Sequence, residues 1–214
     1  RSAACRWQVL QNLLCACAMS SNCFAILLGG ALSIDDRVRS LVAGARVIAA
    51  DSGIRHAGPL GLVPELWVGD FDSSDDTDLT DWQHVPRKKF PAAKNATDGE
   101  IAVEEAIASG ANRIIMVGAL EGERSDHAGL HLLHSLVLAE RGIATVLTSG
   151  EEEAAPVVTG QLEMELPEGA LFSILPYSDL KQLTIEGARY PLEDVDIEFG
   201  SSRTLSNVAT GKIS

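Results

Sequence analysis

No cysteine occurs after Cys23; Cys5, Cys15, Cys17 and Cys23 all fall in the opening stretch, so no disulfide can staple the rest of the chain. That distribution points to a reducing, cytoplasmic compartment. Basic residues are scarce too, with 17 Lys and Arg against 30 Asp and Glu and a net charge of −13. Nucleic-acid binders gain affinity by neutralising phosphates with clustered cations, so this balance argues against a DNA or RNA partner. It suits a cationic small molecule, whereas a polyphosphate ligand would need metal ions to offset the repulsion. Long apolar runs are missing as well. Leu13 to Met19 is too short to span a membrane and lacks the charged-then-apolar-then-cleavage layout of a leader, so no membrane partner is expected. Residues 1–23 read as an N-terminal appendage, in which Met19 is one candidate for a natural start. No internal repeat or low-complexity tract is found.

What is present is enough apolar residue, 46% of 214, to bury a sizeable core. Short apolar runs at Phe24 to Leu28, Val47 to Ala50, Leu66 to Val68, Arg113 to Val117 and Ala144 to Leu147 alternate with helical spacing at Asp35 to Ala43, Glu100 to Ser109 and Ala128 to Arg141. This predicts an α/β domain over residues 24–150, a mainly parallel sheet flanked by helices. After Ser149-Gly150 the pattern becomes all β. Strand-like runs at Val157-Val158, Leu162 to Leu166, Leu171 to Leu175, Leu183 to Ile185 and Val195 to Phe199 predict a small sandwich-like domain over residues 155–214, small for independent stability.

In parallel sheets ligands gather at the carboxyl ends of strands, and the polar residues of interest lie there. Asp51 follows one strand. Gly69-Asp70-Phe71-Asp72-Ser73 follows another and spaces two carboxylates so that both can face one side, with Phe71 turned back as an anchor. Such a pair is a hard-cation site suited to magnesium; the alternative is a solvated acidic loop, since Asp75, Asp76, Asp78 and Asp81 continue the run. Lys94-Asn95-Ala96-Thr97-Asp98 precedes a helix, which Thr97 or Asp98 can simply cap. Alternatively, Asp98 joins the metal cluster while Lys94, with Lys88 or Lys89, neutralises phosphate. The loop from Gly118 to His127 enters the long helix. Arg124 offers it a bidentate phosphate donor, and Asp126 a carboxylate to orient or deprotonate an attacking hydroxyl. His127 would stand behind it; the plainer reading makes Asp126 a helix cap and His127 structural. Zinc held by His127, His131 and His134 is a weak fit, with no cysteine nearby. Ser206-Asn207 supplies a hydroxyl and an amide able to read a heterocycle, although alone it is only a turn.

Taken together, Ala50-Asp51-Ser52-Gly53, Pro64 through Ser73, Thr97-Asp98, Arg124-Ser125-Asp126-His127 and Ser206-Asn207 resemble the thiamine pyrophosphokinase family, in order and spacing from Phe24 to Asn207. The resemblance implies an α/β domain that handles ATP and magnesium, followed by a β-sandwich that binds thiamine. It further implies a homodimer with active sites at the subunit interface, and transfer of diphosphate from ATP to thiamine with AMP leaving. Carried onto this chain, Asp70, Asp72 and Asp98 would hold Mg2+, and Arg124 would contact phosphate. Asp51, Lys94 and Thr97 would line the ATP side. Asp126 with His127 would sit by the thiamine hydroxyl, and Ser206 with Asn207 would hold the pyrimidine. The chain departs from the family at Ser52 and Glu123, where glycine is usual, and at His131, where asparagine is usual; no aromatic follows Asn207 to stack on thiamine. Two other readings stay open: a pyrophosphokinase for another alcohol such as a hydroxymethyl-pterin, and a non-catalytic thiamine or nucleotide binder.

Overall fold

The structure, a computed structural model, describes residues 22–71, 80–90, 95–158 and 160–214. The expectations for residues 1–21, for Asp72 and for Lys94 lie outside the described residues. The chain divides into two compact units, one ending at Val158 and the other running to Ser214.

In the first unit seven strands form one sheet in the order β4-β3-β2-β1-β5-β6-β7. They are β1 (Cys23–Leu27), β2 (Arg46–Ala50), β3 (Leu66–Gly69), β4 (Arg87–Lys89), β5 (Arg113–Val117), β6 (Ala144–Thr148) and β7 (Glu153–Ala154). Only β6 and β7 pair antiparallel; the rest are parallel. The central strand, β1, is buried at all five positions, as a parallel strand covered on both faces must be. Phe24, Ile26, Ile48, Ile114 and Met116 form the centre of the core, each fully buried side chain contributing roughly 1.5–3 kcal/mol. Cys23, at the head of β1, is disulfide-bonded.

The helices follow from local chemistry. α1 (Asp36–Val42) starts where Asp35 accepts the Val38 N–H at 2.8 Å. A 3-10 turn, Asp51–His56, runs into the single-turn α2 (Ala57–Leu60), stopped by Gly61 in the left-handed region. α3 (Asp98–Ala108) begins with a capping box. The Thr97 hydroxyl accepts the Glu100 N–H at 3.2 Å, and the Glu100 carboxylate accepts the Thr97 N–H at 2.8 Å. α4 (Ser125–Glu140) has no side-chain cap. Among the described residues no helix is long and apolar enough to cross a membrane.

From β1 the chain builds outward through β2, β3 and β4 on one side and β5, β6 and β7 on the other. The connections leaving β1 and β5 therefore lead to opposite sides of the sheet, which makes their carboxyl ends the switch point where ligands gather in such folds.

The second unit is all β: β10 (Leu180–Ile185) pairs β11 (Leu192–Ile197), β9 (Leu171–Phe172) pairs β12 (Asn207–Val208), and β8 (Met164–Glu165) pairs β13 (Lys212–Ile213), all antiparallel. Its core is Ile185, Ala209 and Ile213 with partly buried Leu166, Phe172, Ile174 and Leu192 around them. The fold is thus the α/β and small all-β architecture expected. Some elements differ from expectation. β4 is three exposed basic residues on the sheet edge, with no apolar face to betray it. Val157-Val158 is not a strand, and Glu153–Ala154 takes the antiparallel place beside β6. The two-residue strands β12 and β13 are too short to show a period.

Candidate active site

A cleft of about 830 Å³ opens beside β1. Its floor is the loop after β1, Gly29 to Ala31, interlocked with the loop after β5. The Ala31 N–H donates to the Glu121 carbonyl at 2.9 Å, and a Cβ on Gly30 would overlap the carbonyl oxygens of Gly118 and Glu121. Only glycine permits this approach.

Three aspartates from separate elements, Asp51, Asp70 and Asp98, line the cleft together with Glu121 and Glu123. Asp51 opens the 3-10 turn at φ 45°, uncommon outside glycine though tolerated by aspartate. Buried Trp67 holds it there, donating its indole N–H to the Asp51 carbonyl at 2.9 Å. Gly69 brings the next turn against it, since a Cβ there would lie 3.2 Å from Asp51 Cα. Asp70 follows, and Phe71 at φ 65° packs its ring edge-on to Trp67 with centroids 4.9 Å apart. The anchoring of the Asp70 turn by Phe71 is therefore as expected from sequence. A left-handed phenylalanine beside a cleft is the kind of strain that functional turns retain. Asp98 starts α3; because Thr97 does the capping, the cap alternative falls on Thr97 and not on Asp98.

The oxygen-only character of these donors fits a hard cation. Among the described residues, however, no three His, Cys, Asp or Glu side chains form a metal cluster, and the third expected ligand, Asp72, is not among them.

At the entry to α4 Arg124 and Asp126 form a bidentate pair, Nε to Oδ1 at 2.9 Å and Nη2 to Oδ2 at 2.6 Å; Arg124 lines the cleft and Asp126 does not. The Arg124 guanidinium, helped by the His127 N–H, holds the Asp126 carboxyl down to about 2. Such a carboxylate is a poor proton acceptor at neutral pH, which favours orientation over deprotonation of a hydroxyl. Asp126 is the second residue of α4 rather than its cap. Arg124, Glu123 and His127 line the cleft. Behind His127 lies His131, buried, its Nδ1–H donating to the Ala119 carbonyl at 2.9 Å, with burial pushing its pKa down.

The basic strand β4 does not line the cleft. Lys88 pairs with Glu105 at 2.6 Å and Arg87 lies over the Trp67 ring, so neither is placed to neutralise phosphate there. In the small unit Ser206 is exposed at φ 56°. Asn207 is buried, its amide committed to the chain: Oδ1 accepts the N–H groups of Tyr190 at 3.1 Å and Val208 at 2.9 Å, and Nδ2 donates to the Tyr190 carbonyl at 2.8 Å.

Sequence reasoning missed Arg55 and His56, which the 3-10 turn delivers to the floor loop. Arg55 donates to the carbonyls of Gly29 and Gly30, and His56 Nε2–H donates to Gly30 at 2.9 Å. The available signal was their place four and five residues after Asp51, one turn from a residue already singled out.

Comparison with known proteins adds to this geometry. The sequence pattern described as thiamin pyrophosphokinase, catalytic domain, matches residues 39–147, and that described as thiamin pyrophosphokinase, vitamin B1 binding domain, matches residues 160–214. The thiamine pyrophosphokinase of Bacillus subtilis (strain 168) is 28% identical over 171 residues, covering 75% of this chain and 76% of that protein. The crystal structure of thiamine pyrophosphokinase from Bacillus subtilis has a similar fold, with a TM-score of 0.79 at 23% identity over 89% of this chain and 92% of that one. The thiamin pyrophosphokinase of Candida albicans gives 0.72 at 14% identity, covering 89% of this chain and 85% of that one.

Proposed function

The chain belongs to the thiamin pyrophosphokinase family and is an enzyme of that type, and from that premise we propose that it transfers diphosphate from ATP to the hydroxyl of thiamine in a Mg2+-dependent reaction, releasing AMP. The observation that carries this reading is the convergence of Asp51, Asp70 and Asp98 with Arg124 on one cleft at the switch point of a parallel sheet.

Asp70 and Asp98, with Asp72, would hold Mg2+, whose bound charge would neutralise phosphate oxygens and offset the chain's own acidity. The nucleotide would lie across the floor loop, with Asp51, Thr97 and Lys94 on its side of the cleft. Arg124 would take phosphate oxygens as charge shifts toward the leaving group, an interaction strongest when that charge is fully developed. Asp126, ionised at any working pH, would accept a hydrogen bond from the thiamine hydroxyl and aim its oxygen at the β-phosphorus; the proton is released to solvent rather than kept on a carboxylate of such low pKa. His127, which lines the cleft, would stand beside it. Thiamine would be held by the small unit, where Ser206 offers an exposed hydroxyl and Asn207 fixes the Tyr190 backbone. As a homodimer the protein would complete each active site with residues of its partner. The exposed apolar side chains Leu171, Tyr190 and Phe199, at 75%, 62% and 68% exposure, give the small unit a surface suited to such burial.

The test is product analysis by chromatography after mixing protein, ATP, thiamine and Mg2+. AMP and thiamine diphosphate should appear in step and only with the metal. A hydroxymethyl-pterin consumed in preference to thiamine would move the assignment to another acceptor, and binding without turnover would make the chain a non-catalytic member.

A further inference from the structure

Positive charge is what the cleft has least of. Among the described residues lining it, only Arg55 and Arg124 carry a permanent cation, and Arg124 uses Nε and Nη2 on Asp126. Arg55 is placed differently. Its Nη2 donates to the carbonyls of Gly29 and Gly30, the latter at 3.2 Å, while its Nε and Nη1 donors have no partner among the described residues and the side chain is exposed. The guanidinium is thus tethered at one corner and open at the others. In a rigid five-donor fork that arrangement fixes where the remaining N–H groups point.

The sheet order sets the two cations on either side of the floor loop. Arg55 follows β2, Arg124 follows β5, and Gly29-Gly30 follows β1, which lies between those strands. A phosphate chain laid over the glycine loop would have a guanidinium on each flank. Lys88, which the sequence nominated for this work alongside Lys94, is paired with Glu105 instead.

We propose that Arg55 is a phosphate-binding residue, donating from Nε and Nη1 to nonbridging oxygens of the nucleotide's phosphate chain while Nη2 stays on the floor loop. The assignment rests on the reading of the enzyme as ATP-dependent. It is tested by calorimetric titration of the full-length protein with MgATP and, separately, with adenosine, for wild type, Arg55→Ala and Arg55→Gln. Glutamine keeps an N–H donor for the loop carbonyls and removes the charge. Both variants should bind MgATP about tenfold to a hundredfold more weakly, the worth of a charge-assisted hydrogen bond, with adenosine affinity within about twofold of wild type. Wild-type affinity for MgATP in Arg55→Gln would overturn the assignment, as would equal weakening of MgATP and adenosine in that variant, since either result makes Arg55 a loop anchor only. A wild-type protein that binds adenosine but not MgATP would overturn the ATP reading itself and this assignment with it.

Discussion

Asp98 and Asn207 sit in motifs of equal prominence in the sequence, yet the two units use them differently. At the start of α3 the capping duty is met by Thr97 and Glu100, and Asp98 faces the cleft. In the small unit the Asn207 amide is consumed in holding Tyr190 and Val208. A polar residue is available for chemistry when a neighbour satisfies the local backbone, and structural when it must do so itself. The α/β unit is rich enough in core to leave its strand ends to the ligand. The small unit, whose core cluster among the described residues holds three buried apolar residues, relies on polar side chains to close its loops.

That contrast is sharpened by substitution. The largest effect is expected at Asp70→Asn, where turnover should fall about 10³-fold, the scale of losing a preorganised charge, while the urea midpoint stays near wild type. Asp126→Asn comes next. Misplaced substrate should cost about 10²-fold in kcat with little change in stability, because the Arg124 and Asp126 side chains are 67% and 64% exposed. The wild-type kcat profile should also show no titration from Asp126 between pH 5 and 9, its carboxyl lying at about 2. A rate that rises through a carboxylate-like step in that window and disappears in Asp126→Asn would restore the general-base reading.

Asn207→Ala should reverse the pattern, costing about 1 kcal/mol in the small unit by removing the partner of the part-buried Tyr190 N–H and carbonyl. Equal stability with a raised thiamine KM would show that Asn207 reads substrate directly and that the contrast with Asp98 is false. The smallest effect concerns pH. Burial lowers the pKa of His56, His131 and His134. The unfolded chain therefore binds more protons near and below the ordinary histidine value of about 6.5, and stability should fall as pH drops through that range. His131→Asn should flatten the decline in urea midpoint between pH 7.5 and 5 without removing it, because buried His56 and half-buried His134 remain.

Much of this was legible in sequence because it rests on period and punctuation. β5 runs over the residues its apolar run predicted, Arg113–Val117, and the Asp51 and Asp70 turns stand at strand ends because Gly and Asp punctuate those strands. What was not legible depends on pairing across distant segments. Nothing within Arg87-Lys88-Lys89 reveals an edge strand, since its partner β3 supplies the apolar side of the contact. Arg55 gains its place only when the 3-10 turn folds back on the loop after β1, a packing that Gly53 makes possible because a Cβ there would overlap the Leu27 carbonyl. The Arg124–Asp126 pair spans only two residues, yet its effect on Asp126 needed the geometry of the loop entering α4.

The proposed reaction moves the two terminal phosphates of ATP together. It is tested most directly by incubating the enzyme with thiamine, Mg2+ and ATP labelled in parallel at the β- and γ-phosphorus, and counting label in the thiamine product. Both labels entering the product in equal amounts, with unlabelled AMP left behind, is the predicted result; γ-label alone, with the β-label retained in ADP, would contradict it.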